Sequence, residues 1–471
     1  MFFPDSYTII ISLFPRLIGV IYFFALSSLI FQIIGLIGKN GILPIKNFLN
    51  LYRSLSRFKK FQYLPTLFWI NSSDKAILGL VIIGTALSIC LIAGIYPSLI
   101  LLLLYVIHLS IVTAGQDFLS FGWEGLLLEI TAQAFFLSLS PAPNLIMWIS
   151  INFLLFRFHF LSGILKLQTR DPNWRNLTAI AYHYQTQPIP NTIAWYMYKL
   201  PLWFQKVSTA LVLFIEIIVP FGIFFNEEIR IGVFICLFGL QFFIWLTGNF
   251  SYLNLMTAIF TTILIGNKFL SSVISSSIIP ESQFSIFDWA LSFLGVVFII
   301  LQCLKLCEQL FYSRHIVKLF RAISSFHLFN RHAIFANMTT KRYEVVIEGS
   351  DDGILWKEYN FKYKPSEITG RPRRIAPFQP RIDWQAWFLP FRNFESEPWF
   401  QSFLFHLLKG TPEVLKLLRE NPFQNHPPKY IRSLLYDYEF STAEEKKTNG
   451  WWWHRELLGE YGPVVALKQA V

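Results

Sequence analysis

Residues 76–114 read AILGLVIIGTALSICLIAGIYPSLILLLLYVIHLSIVTA and contain no Asp, Glu, Lys or Arg. A helix needs about 20 apolar residues to cross a hydrocarbon core of about 30 Å. The stretch is therefore long enough for two spans, with Pro97 between them. Lipid offers the backbone no hydrogen-bond partners, so spans of this kind are helical. The stretch predicts a polytopic α-helical membrane protein.

The composition of the whole chain agrees with a membrane protein. Of its 471 residues, 54% are hydrophobic and 15% are charged, whereas roughly a quarter are charged in soluble proteins. Residues 1–310 hold 17 Lys and Arg and 12 Asp and Glu, which leaves 23 and 17 for residues 311–471. We therefore expect a multi-pass transmembrane helical domain over 1–310, a linker or interfacial segment over 311–339, and a soluble domain over 340–471.

Nine apolar runs are candidate spans, and the shortness of several leaves the true number at five to nine. The runs cover about 17–37, 76–96, 98–114, 124–140, 143–165, 207–225, 231–248, 253–270 and 285–307. Prolines at or near their ends are Pro15, Pro97, Pro141 and Pro220. The first run has no positively charged leader and no small-residue cleavage site, so we expect it to remain as a span.

Basic residues cluster in two of the loops between these runs. Residues 46–62 place Phe48, Leu51, Leu55 and Phe58 at helical spacing among basic side chains, which predicts a helix lying on lipid headgroups. The loops 38–75 and 166–206 carry most of the basic residues of the bundle. With nine spans, both loops and the C-terminal domain lie at one end, and the positive-inside rule predicts a cytoplasmic location.

The pattern of the sequence changes from about residue 340. Residues 343–349 alternate between polar and apolar, 350–353 (SDDG) form a turn signal, and 356–364 give a second strand-like run. This arrangement predicts a β-hairpin that opens a β-rich soluble domain. The fold class expected is a helical membrane bundle followed by this domain, α+β overall.

Three further segments complete the C-terminal prediction. The stretch 371–399, rich in Pro, Arg and Trp, is expected to be irregular and to cover a sheet. Residues 399–420 return to a helical pattern that Gly410 divides. The tail around Trp451, Trp452 and Trp453 is aromatic enough to lie at a membrane interface.

Ionisable residues inside or beside the spans are candidate functional positions, because burying one costs several kcal/mol unless it is paired. They form a candidate polar core of Asp117, Glu124, Glu129, Arg157, His159, Lys166, His183 and Glu216. One interpretation is a polar cavity inside the bundle. The other is a set of internal ion pairs between helices, with Glu124 or Glu129 as the partner of Arg157.

No catalytic or metal-binding motif accompanies this core. The chain has no GxSxG, HExxH, P-loop or dinucleotide-binding glycine pattern. His183 has no second ligand at helical spacing, and the four cysteines lie in apolar runs without metal-ligand spacing. We therefore predict no cofactor, no metal and, because no basic groove pattern is present, no nucleic-acid partner.

Several stretches, in chain order, resemble the lipase maturation factor family. The longest and most unusual are YHYQTQPIPN (182–191) and IAPFQPRIDWQAWF (375–388). The others are GLIGKNGILP (35–44), GQDFLSFGWEGLLLE (115–129), LLFRFHFLSGILKL (154–167), IEIIVPF (215–221), TGNFSYLNL (247–255), YEVVIEGSDDGILWKEYNFKYKP (343–365) and NPFQNHPPKYIRSLLYDYEF (421–440). Phe378 occupies a position usually filled by His in this family.

The resemblance implies a multi-pass protein of the endoplasmic reticulum membrane, or of the cytoplasmic membrane if the source is bacterial. The family's vertebrate members help lipoprotein lipase and related dimeric lipases to fold, assemble and leave the compartment. Their client-handling region is lumenal and corresponds to about 340–440. A lumenal domain conflicts with the charge rule, so both orientations stay open. In a bacterium, the client would be another secreted protein.

Within 375–388, Trp and Arg are the residue types most enriched at binding hot spots. We interpret Arg381, Asp383, Trp384, Trp387 and Phe388 as a candidate client-binding set. The alternative is that these side chains cap the sheet or hold the C-terminal domain on the bundle.

A membrane-embedded enzyme is the second functional hypothesis. It would act on a lipid or a polypeptide through the charged bundle core, with a layout loosely like that of vitamin K-dependent carboxylase-type proteins. The enzyme requires a cavity lined by the core residues, whereas a maturation factor requires only a partner-binding surface.

Overall fold

The computed structural model describes residues 4–140, 144–272 and 286–467. The first two-thirds of the described chain is a helical bundle. Its helices are α1 Thr8–Ile30, α2 Ile33–Ile37, α3 Ile45–Leu51, α4 Arg57–Tyr63, α5 Asp74–Ala93, α6 Pro97–Ala114, α7 Gly122–Leu137, α8 Leu145–Gln168, α9 Pro172–Arg175, α10 Ala179–Thr186, α11 Thr192–Tyr198, α12 Leu202–Ile217, α13 Glu227–Thr247, α14 Leu253–Thr261, α15 Asn267–Leu270, α16 Ile286–Phe311 and α17 Arg314–Arg321.

Seven of the described helices are long and apolar enough to cross a membrane. These are α1, α5, α6, α8, α12 with its continuation to Phe224, α13 and α16. The structure confirms the multi-pass helical membrane bundle. Pro141 and the first residues of the predicted spans 143–165 and 285–307 lie outside the described residues.

Two shorter helices also run between the ends of the bundle. Ser138, just after α7, accepts a 2.7 Å hydrogen bond from Ser98 at the start of α6, so α7 returns along the full length of α6. Asn267, which follows α14, donates to Thr8 at the start of α1. Both helices are enclosed by their neighbours and need not match the hydrocarbon thickness themselves. Within the described residues the chain therefore passes nine times between the two ends, and its basic loops and C-terminal part share one end.

Two details of the predicted helices are wrong. The first span begins at Thr8 rather than near residue 17, and Pro15 lies inside it, where the missing N–H leaves the Ile11 carbonyl without its helical hydrogen bond. The predicted interfacial helix 46–62 is two helices, α3 and α4. Ser56 is the N-cap of α4, because its hydroxyl accepts a hydrogen bond from the Lys59 amide in the first turn.

The C-terminal part of the chain contains one four-stranded antiparallel sheet. Its strands are β1 Arg342–Ser350, β2 Lys357–Tyr359, β3 Tyr430–Phe440 and β4 Trp453–Ala466, in the order β2-β1-β3-β4. Its helices are α18 Arg381–Ala386, α19 Pro398–Leu408, α20 Pro412–Leu415 and α21 Ala443–Asn449. The β-rich C-terminal part is therefore confirmed.

The predicted hairpin forms, although its second strand covers only Lys357–Tyr359 of the predicted run 356–364. Ile347 on β1 pairs with Tyr359 on β2, and the Ser350 hydroxyl accepts the Gly353 amide across the turn at 2.9 Å. Gly410, with φ +64°, separates α19 from α20 as the sequence predicts. Trp453 is only 1% exposed and stacks on Phe440, so this tryptophan packs against the sheet rather than a membrane interface.

The segment 371–399 contacts the sheet, where the Leu389 carbonyl accepts the Tyr461 hydroxyl of β4 at 2.9 Å, but it is not irregular throughout and it also packs on the bundle. It contains α18, and Gln379 and Arg381 are fully buried against the helical bundle. The Gln32 side chain, just after α1, donates to the Gln379 carbonyl at 2.8 Å. Because these contacts tie the C-terminal part to the bundle, the three-part domain division at 310 and 340 stays a prediction.

The nine passages predict which positions share a side of the membrane. In a chain whose four cysteines are replaced by Ala, Ile354→Cys and Phe58→Cys should both react, or both fail to react, with a membrane-impermeant maleimide in sealed vesicles. Ile95→Cys, at the opposite end, should show the reverse behaviour. All three side chains are exposed, at 79%, 78% and 47%. Equal labelling of Ile95→Cys and Ile354→Cys before permeabilisation would contradict the topology.

Candidate functional site

Helix α7 carries two carboxylates inside the bundle, and each is neutralised by a different arginine. Glu124 and Glu129 are both 0% exposed. An isolated carboxylate in this environment would lose its hydration without compensation. The partners of these two residues therefore determine how the surrounding segments are arranged.

Glu129 binds Arg157 of α8 in a fully buried ion pair. Its second oxygen accepts hydrogen bonds from His332 Nε2 and from the backbone and side-chain nitrogens of Asn330, all at 3.1 Å. Burial lowers the pKa of His332 even though Glu129 favours its charged form. The segment that connects α17 to β1 is thereby fixed against α7 and α8.

Glu124 binds Arg381 of α18, which lies 257 residues further along the chain. The other carboxylate oxygen accepts the Tyr252 hydroxyl at 2.6 Å and lies 3.0 Å from His108 Nε2. Arg381 also donates to the Phe118 carbonyl at 3.2 Å. This pair joins the bundle directly to the C-terminal part.

Three residues of the candidate client-binding set are enclosed in the structure. Arg381 is held by Glu124 as described above. Asp383 accepts the backbone amides of Tyr363 and Lys364 at 2.6 and 2.9 Å, and burial raises its pKa to about 6. Trp384 is 3% exposed and meets Trp123 edge-on. These contacts favour the interpretation that Arg381 and Trp384 hold the C-terminal part on the bundle, whereas Asp383 joins two segments of the C-terminal part.

The other two residues of that set, Trp387 and Phe388, are half-buried and line a cavity of about 440 Å³. We call it the aromatic cleft and define it by Phe121, Trp123, Trp384, Trp387 and Phe388. Asp117, another predicted core residue, contributes to the wall, and burial raises its pKa. Arg392 adds a positive charge on the C-terminal side.

Four members of the predicted polar core meet at a second cavity, of about 450 Å³. They are His159, Lys166, His183 and Glu216. Lys166 Nζ lies 2.6 Å from a Glu216 oxygen, and the close approach of α8 to α12 that this requires depends on Gly163. A Cβ at residue 163 would lie 2.8 Å from Glu216 Cβ. We call this space the α12–α13 cavity.

His183 is a packed histidine in the structure. Its ring stacks on Phe250 with centroids 5.7 Å apart, and burial lowers its pKa to about 4, so the ring is neutral at neutral pH. Among the described residues, no group of three or more His, Cys, Asp or Glu side chains is arranged to hold a metal ion.

The sequence analysis missed the two polar side chains that bind the backbone of the motifs 182–191 and 375–388. Arg342 of β1 donates to three backbone carbonyls of the 182–191 motif, at Gln185, Gln187 and Pro188, over 2.5–2.9 Å. Asn249 accepts the amides of Ile375 and Ala376 at 2.9 and 3.1 Å. The prolines of both motifs could have indicated that such partners exist, because a proline-rich segment forms no regular hydrogen-bond pattern and its backbone groups need partners elsewhere.

Comparison with known proteins identifies the family. The family model for the lipase maturation factor transmembrane domain matches residues 10–272, and that for the lipase maturation factor C-terminal domain matches residues 328–463. The chain is 31% identical to human lipase maturation factor 1 over 96% of its own length and 87% of the relative. It is 30% identical to chicken lipase maturation factor 2, covering 95% of this chain and 80% of that one.

The chain belongs to the lipase maturation factor family. No solved structure matches it. In this family member, the two matched regions are joined by buried polar contacts rather than by the chain alone. Helices α16 and α17 lie between the two matched ranges, while Arg381 and Asn330 of the C-terminal match reach Glu124 and Glu129 of the transmembrane match.

The specific pairing of the two carboxylates is testable with two matched double-mutant cycles. Arg157→Ala and Arg381→Ala should each cost roughly 3–5 kcal/mol, because each leaves a buried carboxylate without its counter-charge. Adding Glu129→Gln to Arg157→Ala, or Glu124→Gln to Arg381→Ala, should recover part of the loss. Melting temperature of the purified protein in detergent is the measurement.

The crossed combinations are the controls for these cycles. Glu124→Gln with Arg157→Ala, and Glu129→Gln with Arg381→Ala, should be close to additive, because the members of each combination are not partners. Recovery in a crossed combination, or equal damage in all the double variants, would contradict the pairing.

Proposed function

We propose that this protein assists the maturation of a secreted lipase, or of another secreted client, by holding exposed apolar segments of the client in the aromatic cleft. Family membership supports lipase maturation as the process. The cleft supports the mode of binding, because it lies between the C-terminal part and the bundle and two of its walls, Trp387 and Phe388, are half-buried.

The chemistry of the cleft suits a chain that has not finished folding. Such a chain exposes apolar side chains that native proteins bury. Trp387 is fixed by a 2.9 Å hydrogen bond from its indole nitrogen to the Thr186 carbonyl, so its ring loses little conformational entropy on binding. Fixed aromatic walls of this kind are typical of binding hot spots.

The proposed function requires a particular orientation. A secreted client is accessible only on the lumenal side of the endoplasmic reticulum membrane, or on the outer side of a bacterial cytoplasmic membrane. We therefore propose that the C-terminal part faces that side, against the positive-inside rule. A cytoplasmic location of Ile354 in the labelling experiment above would overturn this proposal.

The structure limits which polar-core residues could belong to an enzyme site. Glu124, Glu129 and Arg157 are held in ion pairs and line neither cavity. His159 and Lys166 do line a cavity, so an activity on a lipid would have to reside there. It stays a prediction without a named reaction.

Lipase secretion tests the proposed function. Cells that lack their own lipase maturation factor would be supplied with a secreted dimeric lipase and with this chain, and lipase activity in the medium would be measured per mass of enzyme. We expect the chain to raise this specific activity. The Trp387→Ala/Phe388→Ala double variant should lower the effect several-fold at equal membrane abundance, because it removes two walls of the cleft.

Phe405→Ala is the matched control, since Phe405 is 42% exposed on α19 and lies outside the cleft. It should behave as the unchanged chain. No gain of lipase activity with correctly inserted protein would overturn the lipase as client. A gain that the double variant retains would overturn the aromatic cleft as the binding site.

A further inference from the structure

The α12–α13 cavity opens through the outer surface of the membrane-spanning bundle. Leu211 on α12 and Ile235 and Phe243 on α13 line it, yet they are 54%, 62% and 62% exposed. A side chain can both line the cavity and be exposed at the outer surface only where the cavity opens between the two helices. Because α12 and α13 are both candidate spans, this mouth faces the hydrocarbon of the bilayer rather than water.

The inner end of the cavity is polar. His159 is 1% exposed, and its Nδ1 lies 3.1 Å from the Leu155 carbonyl. A carbonyl can only accept, so Nδ1 carries the hydrogen. The other ring nitrogen, Nε2, has no hydrogen-bond partner among the described residues, and an unpaired imidazolium there would be costly. Nε2 is therefore a hydrogen-bond acceptor in the cavity wall with no donor bound to it.

A second acceptor lies in the same wall. Asn254, 3% exposed, donates from Nδ2 to Gln241 at 2.9 Å, while its Oδ1 is without a partner in the described part of the chain. The neighbouring charges are already satisfied, because Lys166 and Glu216 bind each other. The inner end therefore offers two acceptors that have no donor, and its Lys166 and Glu216 charges are matched.

We propose that the α12–α13 cavity binds a neutral single-chain glycerolipid, a monoacylglycerol, with its acyl chain between α12 and α13 and its hydroxyl groups at His159 and Asn254. The lateral mouth selects a ligand that arrives from the bilayer, and the apolar walls suit one acyl chain. The two free acceptors select hydroxyl donors over a carboxylate. A volume of about 450 Å³ lies within the range of about 300–1,000 Å³ typical of ligand pockets.

This proposal does not depend on the identity of the client. The cavity is separate from the aromatic cleft, although Phe158, Leu253, Ile334 and Phe335 contribute to both. A failure of the lipase-secretion experiment would therefore leave the lipid proposal standing, and the reverse also holds.

Photolabelling tests the proposal directly. The full chain in lipid nanodiscs would be exposed to a monoacylglycerol with a diazirine in its acyl chain, and labelled peptides would be mapped by mass spectrometry. We expect labelling within 202–247 that unlabelled monoacylglycerol displaces. The corresponding fatty acid and its methyl ester should compete about tenfold less well, because neither offers hydroxyl donors to both acceptors.

Two glycines of α13 give a matched blocking variant and control. A Cβ added at Gly239 or at Gly232 meets no atom within 4 Å, so both Gly239→Leu and Gly232→Leu should fold. Only Gly239 lines the cavity. Gly239→Leu should abolish specific labelling, and Gly232→Leu should leave it unchanged. Leu211→Trp at the mouth is a second blocking variant should Gly239→Leu not accumulate.

The hydroxyl contact has its own readout. His159→Leu puts an apolar side chain of similar bulk in place of the imidazole and removes one of the two acceptors, so the preference for monoacylglycerol over the methyl ester should fall with that variant. Labelling that survives both blocking variants, or that is spread over the lipid-facing helices, would show annular lipid only and overturn the proposal. Equal competition by the fatty acid in the unchanged chain would overturn the choice of ligand.

Discussion

The buried pair between Glu124 and Arg381 governs how the two parts of this protein are joined. A carboxylate enclosed by helices cannot remain charged without a partner, and its close contacts inside the bundle are the Tyr252 hydroxyl and the His108 ring. The counter-charge comes from the C-terminal part instead. As a result, α18 is held at the bundle, and Gln379 and Trp384 are buried with it. Removal of one partner would leave the other as an uncompensated buried charge.

The same arrangement creates the two cavities and keeps them apart. The connecting segment that Glu129 holds through Asn330 and His332 continues to Ile334 and Phe335. These two side chains, with Phe158 and Leu253, belong to the walls of both the aromatic cleft and the α12–α13 cavity. A partition of four apolar side chains thus separates a space beside the C-terminal part from a space open to lipid. A change in the position of this partition would alter both spaces together.

Hydropathy predicted the helical bundle because it measures the property that lipid selects, the apolar length of a segment. It was less informative for α7 and α14, since buried helices follow the dimensions of their neighbours and not those of the bilayer. The sequence left two candidate partners for Arg157, Glu124 and Glu129, and in the structure the partner is Glu129. Nothing local could assign Glu124 to Arg381, because that contact spans 257 residues. The half-buried state of Trp387 likewise depends on tertiary packing.

The two proline-containing motifs illustrate why polar residues are needed where the parts meet. Proline prevents 375–380 from forming a regular helix, so the backbone groups of this segment cannot satisfy one another. Once buried, they must be paired with side chains. Asn249 accepts two amides of the segment, and Gln32 pairs with both the Gln379 carbonyl and the Arg381 amide. Replacing either amide side chain with an apolar one would leave buried backbone groups without partners. The polar residues that adjoin these motifs are therefore explained by the backbone of the motifs, independently of any catalytic role.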